Sequence, residues 1–444
     1  MKVSNLILAA AVFVIGASSV VTTSALAEEK PQFFPSMTYR TGAYAPSGVP
    51  FGNGPADYIK LVNARGGVNG VKILVEECET GYSTERGIEC YERLKNKHGG
   101  ASAFLPGSTN LVEALTEKLA ADKISVVSPF YGRNESADGT VFKFLFPLTG
   151  SEWGQSDILA QAIAQKVGGF DKLKGKKIAL VYHDSPYGRK AIPALEVRAA
   201  KHGFELSLMP VADPGVDQKS TWLQIRQIRP DYVILWSWGI MTSTAIKEAQ
   251  ATGYPREQMI GNWWSGSEAD VQDIGAGAKG YTSLVPHDGN NKNATVLKDI
   301  LSEVYAKGQG SGSKDKVNEA LYMTGLLHAF YAVEGVRVAQ ERFGKGKWMN
   351  SEQVRWGLEN LNLTQAKLDA LGFKGVIKPM STSCQDHQGA TWARVHTWDG
   401  SKFGGQSDWY QADKAMLQSL TTAAADKYAA EQKITRRTPA DCKS

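Results

Sequence analysis

Pro106-Gly107-Ser108-Thr109 stands between a short strand-like run and a helix-like stretch, so two hydroxyls and the first backbone N–H groups of a helix converge on one point. Such a point favours a carboxylate, because the first N–H groups of a helix lack intrahelical acceptors and carry the positive end of its dipole. Capping of the helix by Ser108 or Thr109 is the plainer reading, and the two roles are compatible. Aromatic residues follow two later strand-like runs: Trp236 and Trp238 after one, Trp263 and Trp264 after the next. Rings of this size bury on the order of 150–250 Å² each, so several at one cleft would supply most of a small ligand's contact area. Trp236 and Trp238 equally suit packing under a helix, since alternate strand residues point the same way. At least two of the four are expected to touch ligand.

Residues arranged for bond-making chemistry are not evident. The chain has no P-loop, H-E-x-x-H or G-x-S-x-G motif, and its seven His are dispersed. His183-Asp184-Ser185 are consecutive, and neighbours on an extended segment face opposite ways, which argues against a preformed triad. Gly275 to Gly280 fits G-x-G-x-x-G, but it precedes the strand-like run 281–285 where a dinucleotide site must follow a strand and open a helix. The expectation is a binding protein with no cofactor, no metal and no enzymatic turnover.

The elements that must position these residues alternate. Strand-like runs at 36–44, 71–77, 103–105, 124–128, 142–146, 177–183, 205–210 and 232–236 are separated by amphipathic stretches at 53–63, 83–97, 111–122, 153–167, 189–202 and 241–252. This pattern predicts βαβ units and parallel sheets, and the apolar run from Ile178 to Tyr182 suits a strand covered on both faces. A long packed helix is predicted over 317–343, an antiparallel strand over 392–398 and a surface helix over 411–433.

The amino terminus has the makings of an export signal. Lys2 gives a basic start, Leu6 to Ala17 an apolar stretch, and Ala25-Leu26-Ala27 a small-x-small cleavage site, too short and too interrupted to span a bilayer. Removal of 27 residues from 444 leaves 417, more than one core usually serves, so two domains are expected. The net charge of +5 becomes +4 without Lys2 and is spread along the chain, which argues against a nucleic-acid partner. Four cysteines in an exported chain suggest disulfides: the spacing of Cys78 and Cys90 suits a bridge from a strand end to the next helix, leaving Cys384 and Cys442 as a second pair. Free thiols are the other reading; zinc is poorly served, because Cys384-Gln-Asp-His387 has no second ligand pair at suitable spacing.

From Met37 to about Trp409 the chain carries an ordered set of landmarks. They are Thr41-Gly-Ala-Tyr-Ala-Pro46, Val62-Asn-Ala-Arg-Gly-Gly-Val-Asn-Gly70, Pro106-Gly-Ser-Thr109, Val127-Ser-Pro129, Tyr182-His-Asp-Ser-Pro-Tyr-Gly188 and Asp231-Tyr-Val-Ile-Leu235. In this set the chain resembles the type I periplasmic solute-binding proteins, and among them the branched-chain amino acid group of ABC importers. The resemblance implies an α/β fold of two Rossmann-like lobes joined by three crossovers, with ligand held between the lobes at the carboxyl ends of the strands, where open α/β sheets favour it. The expected division is 1–27 signal peptide, 31–149 with 286–345 as lobe I, 150–285 with 346–410 as lobe II, and 411–444 as C-terminal helix and tail. Crossovers are expected near Thr149, near Val285 and within 346–379.

The resemblance also implies site residues. Ser128-Pro-Phe-Tyr-Gly-Arg133 matches the loop that holds the ligand carboxylate, with Phe130 and Tyr131 in place of small residues. Arg133 either pairs with the carboxylate or sits solvated at the rim. Tyr187 matches a position that closes over the ligand, and Tyr44 joins the candidates. In Met259-Ile-Gly-Asn-Trp-Trp264, Trp263 falls about where amino acid binders keep an acid for the ligand ammonium. Unless Glu268, Asp270 or Asp184 substitutes, a buried ammonium would lack a charged partner, a cost of several kcal/mol. Two ligand classes follow: a branched-chain or related apolar amino acid, or an aromatic or amphipathic organic acid without an ammonium. A quaternary amine over the Trp faces is a distant third. The partners implied are permease subunits in the inner membrane, with the protein monomeric in the periplasm; docking on a receptor as a sensor is the alternative.

Overall fold

The structure is a computed structural model that describes residue 1, residues 30–288 and residues 293–443. The expected signal segment, Met1 apart, lies outside the described residues almost entirely. The chain first lays down β1 (Gln32–Thr38), α1 (Ala45–Ala64), β2 (Ile73–Glu79), α2 (Thr84–Leu94), α3 (Thr109–Asp122), β3 (Val126–Val127) and β4 (Leu145–Phe146). β1 pairs in parallel with β2, and β3 with β4. Residues 104 and 105 knit the two pairs into one parallel sheet, Met37 N–H donating to Leu105 O and Phe104 N–H to Ser125 O.

The second pass builds α4 (Glu152–Val167), β5 (Lys177–His183), α5 (Pro186–Arg189), α6 (Ile192–His202), β6 (Glu205–Val211), α7 (Lys219–Ile228), β7 (Tyr232–Trp236), α8 (Ile240–Ala251), β8 (Met259–Gly261), α9 (Glu268–Val271) and β9 (Thr282–Val285). Strand order β6-β5-β7-β8-β9 is parallel throughout. Ile178 to Val181 of β5 are buried on both faces, as their apolar run required.

The chain then returns to the first sheet with α10 (Thr295–Glu303), α11 (Ala320–Phe343), α12 (Ser351–Glu359), β10 (Asn362–Leu363), α13 (Gln365–Ala370) and β11 (Met380–Ser381). It closes with β12 (Trp392–Trp398), β13 (Phe403–Gly404) and β14 (Tyr410–Gln411), which join the second sheet antiparallel beside β9, and with α14 (Lys414–Glu431). The sequence expectation of a two-sheet α/β fold is met. No described helix is long and apolar enough to cross a membrane.

Three local differences have physical causes. The first strand runs 32–38, ahead of the expected 36–44, and α1 begins at Ala45 despite Pro50 and Pro55 inside it. Glycines on both helices make the contact: a Cβ on Gly54 of α1 would stand 2.1 Å from Tyr322 O, and one on Gly325 of α11 would stand 1.9 Å from Phe51 O. α1 and α11 thus meet backbone against backbone. The segment 346–379, expected to hold the third crossover and to belong to the second lobe, packs instead on first-sheet elements. Ser351 Oγ accepts from Ser125 N–H at 2.6 Å, the ring of Phe373 packs tilted against Phe330 at 4.2 Å, and Gly357 lies so close to α11 that a Cβ would be 2.0 Å from Gly335 O. The chain returns to the second sheet only at 388–391, where Thr149 N–H, at the first crossover, donates to Gln388 O.

Both expected disulfides form, with Cα separations of 5.9 Å for Cys78–Cys90 and 5.5 Å for Cys384–Cys442. The second ties the tail down beside Arg436, which pairs with Asp138, and Arg437, which pairs with Glu359. Cys384 is therefore not available as a zinc-binding thiolate.

Candidate functional site

Between the two sheets, at the carboxyl ends of their strands, lies a small, closely walled cavity. Tyr39 follows β1, Tyr82 follows β2, Gly107 to Thr109 open α3, and Tyr131 follows β3; from the other side come Tyr187 in α5, Trp238 beyond β7 and Trp264 beyond β8. Gly107 is required here: its φ is +72°, and a Cβ would meet Met37 O at 2.4 Å, so only glycine lets the α3 loop lie this close to β1.

The hydrogen-bond polarity of this wall is one-sided. Trp238 and Trp264 each keep a buried indole N–H without a hydrogen-bond partner, an arrangement that costs free energy until an acceptor arrives. Tyr131 Oη accepts from Gly107 N–H at 2.9 Å, and Tyr187 Oη accepts from the amide of Asn262. Asn262 is oriented by its other end, whose oxygen accepts from Ser265 N–H and Ser265 Oγ. His328 stands near Tyr131, yet its Nε2 must donate to Val127 O and so takes no proton from the tyrosine. Burial pushes the hydroxyls of Tyr39, Tyr82, Tyr131 and Tyr187 up from their usual range, so all four remain neutral O–H groups. Ser108 Oγ caps α3 by accepting from Leu111 N–H at 3.1 Å. Among the described residues no acceptor takes the protons of Ser108, Tyr131 or Tyr187, whose oxygens only accept in the bonds above, and each hydroxyl has that donor left over.

Among the described residues no acidic or basic side chain lines the cavity. Of the three acids considered as replacements, Asp184 pairs with Arg189 at 2.7 Å, Glu268 accepts from Ala320 N–H at the start of α11, and Asp270 lies beside the start of α8. The nearest carboxylate behind the wall is Glu152, first residue of α4, fully buried. Its Oε1 accepts from Thr109 Oγ1 at 3.0 Å and from Gly132 N–H at 3.3 Å, and burial pushes it up to about 7.

Six of the eleven expected ligand residues line the cavity: Ser108, Thr109, Tyr131, Tyr187, Trp238 and Trp264. Five do not. Arg133 turns away, pairing with Glu135 at 2.7 Å and lying 4.2 Å over the ring of Tyr428 in α14. Trp236 is fully buried in the core beneath the wall. Phe130, at φ +74°, and Trp263 pack edge to face at 5.6 Å, and Trp263 Nε1 donates to Phe130 O across the two halves. Tyr44 sits behind Trp238, stacked on it at 4.5 Å, with its hydroxyl between Asp213 (2.5 Å) and His183 (3.0 Å). Tyr39 and Tyr82 were not foreseen. Each stands just past a strand's carboxyl end, the signal that singled out the tryptophans, but Tyr39 was hidden inside a strand placed too late.

Two doubly covered α/β sheets with an aromatic cavity between their strand ends define a two-lobed ligand-binding protein. The chain matches the periplasmic binding protein family over residues 32–405 and belongs to it. It is similar to a crystal structure described as an ABC transporter permease from the Pseudomonas fluorescens group, with 42% identity and a TM-score of 0.85 over 92% of this chain and 99% of that one. Its fold is also shared by a branched-chain amino acid ABC transporter from Thermus thermophilus with bound valine (21% identity, TM-score 0.73, 88% and 99% covered). A solute-binding protein of an ABC transporter from R. palustris in complex with benzoate has it too (16%, 0.66, 87% and 98%). No curated protein matches.

Proposed function

We propose that this protein is the periplasmic binding component of an ABC uptake system, and that it captures a small organic acid lacking an ammonium group. It works as a monomer after export and hands the ligand to permease subunits in the inner membrane. The single observation that carries the ligand reading is the polarity of the cavity: two orphan indole N–H groups with leftover hydroxyl donors, and no acid among the lining residues. Such a wall suits a carboxylate, whose oxygens only accept, and hydrogen bonds to a charged partner are worth roughly 1.5–3 kcal/mol each. The six aromatic rings suit a flat or apolar body. A zwitterion would bury its ammonium without a charged partner, at a cost of several kcal/mol.

Closure follows from the same contacts. A ligand touching both Tyr131 and Trp264 bridges the halves and favours the closed form, which is what a permease reads. The branched-chain amino acid reading draws support from the valine-bound relative, but would need the ammonium held by tyrosine hydroxyls and ring faces alone. The test is a thermal-shift panel on purified, ligand-stripped protein with benzoate, 4-hydroxycinnamate and hexanoate beside leucine, isoleucine and valine. An acid at about 1,000 times its Kd should stabilise by roughly 4 kcal/mol. A response to the amino acids only would overturn the reading.

A further inference from the structure

Thr109 differs from every other polar group on the cavity wall. Its hydroxyl has one proton and two lone pairs. The proton goes to Glu152 Oε1 at 3.0 Å, and one lone pair takes Gly132 N–H at 3.2 Å. That direction is fixed while Glu152 is ionised, because a carboxylate only accepts. Oε1 also accepts from Gly132 N–H, and burial pushes Glu152 up to about 7, so the carboxylate is the prevailing form above that pH. There Thr109, fully buried and on the wall, has no proton to offer and one lone pair left. Around it stand the donors: Ser108, Tyr131, Tyr187 and the two indoles.

We infer that the acid bound here carries a hydroxyl, and that Thr109 selects it by accepting the hydroxyl's proton on its one unused lone pair; the inference rests on the acid-binding reading above. A carboxylate oxygen at Thr109 would face a lone pair with Glu152 behind it, and so turns to the indole and tyrosine donors. An ammonium brings three N–H donors and a positive charge to a wall without a carboxylate. A hydroxyl brings one. The ligand is thus oriented at both ends, carboxylate toward the donors and hydroxyl toward Thr109.

The test compares dissociation constants by calorimetry at pH 8, where Glu152 is ionised, for benzoate and its 2-, 3- and 4-hydroxy forms, and for 3-phenylpropionate and its 4-hydroxyphenyl counterpart. Wild type, Thr109→Val and Thr109→Ser are measured, with leucine, isoleucine and valine as a separate arm. Wild type should favour at least one hydroxy acid over its parent by 10-fold or more. Thr109→Val should reduce that preference to within 3-fold, mostly by weakening the hydroxy acid, and Thr109→Ser should keep it. Hydroxy and parent acids binding wild type alike, or a preference that survives Thr109→Val, would overturn the inference while leaving acid binding intact. Binding of the amino acids with no binding of any acid would overturn the acid reading itself, and this inference with it.

Discussion

Replacing Trp264 or Trp238 by Phe removes one orphan indole N–H and keeps most of the ring, so the change is confined to one donor. Loss of one hydrogen bond to a charged acceptor is worth roughly 1.5–3 kcal/mol, and acid affinity should fall by about 10-fold or more in a calorimetric titration. Trp236→Phe is the matched control. Its indole N–H is also unpartnered, but it lies in the core below the wall, so affinity should stay within about twofold. Equal losses in all three variants would mean that the rings act through packing and not through their N–H groups. At this scale the kinds of residue in the site were readable in advance, since aromatics just past strand ends are visible as spacing. The polarity was not. That Thr109 is a spent donor depends on Glu152, 43 positions away, and that Arg133 leaves the site depends on Tyr428 in a helix at the far end of the chain.

Among the elements, the start of α1 reaches across to the second sheet. Tyr44 Oη bonds to Asp213 beyond β6 and lies 3.0 Å from His183 at the end of β5, while its ring stacks on Trp238. Tyr44→Phe keeps the stack and deletes the polar bonds between the halves. Asp213 is well exposed, which reduces what its bond is worth, so ligand dissociation should quicken by about 3- to 10-fold in stopped-flow traces, with association within about twofold. Unchanged dissociation would show that the ring stack alone holds the halves. The disulfides make a second comparison. The Cys384–Cys442 loop spans 58 residues and the Cys78–Cys90 loop 12, and loop-closure entropy assigns them about 4 and about 3 kcal/mol. Replacing each pair by Ser should lower the urea midpoint more for the longer loop. α1 was only half legible in the sequence, because Pro50, Pro55 and its glycines oppose a helix locally and are tolerated only through contact with α11. The third crossover was misplaced for a like reason: nothing near residues 346–379 announces that Gly357 docks on Gly335.

For the whole molecule, buried groups of opposite kind set the dependence of stability on pH. Burial pushes Glu152 and Glu268 up to about 7 from 4.5 and Asp270 well above 3.8. It pushes His287 and His328 down to about 4 and His396 to about 3 from 6.5. Each acid remains protonated in the folded chain at a pH where the unfolded chain has released its proton, so each lowers stability as pH rises from about 4.5 toward 7. Each histidine stays neutral when folded at a pH where the unfolded chain is protonated, so each raises stability over the range from about 4 to 6.5. Three acids against three histidines cancel between about pH 4.5 and 6.5, and the urea midpoint should be flat there. Above 6.5 the histidines no longer contribute while the acids still ionise, so stability should decline toward pH 7 and, through Asp270, beyond. Below 4.5 the histidines are joined by carboxylates that hydrogen bonds and ion pairs hold down in the folded chain, such as Glu79, Asp122 and Asp231, and above all Glu359, which its pairing with His387 and Arg437 holds down to about 2 against burial, so the fall should be steep. Glu152→Gln isolates one component: it leaves the acid limb alone and raises stability at pH 8 by about 3 kcal/mol at most, the value of a shift of that size. A midpoint difference that is the same at pH 4 and pH 8 would mean that Glu152 does not hold its proton in the folded protein. The carboxylate behind Thr109 would then carry its charge from about pH 4.5 upward, facing a bound acid with a like charge.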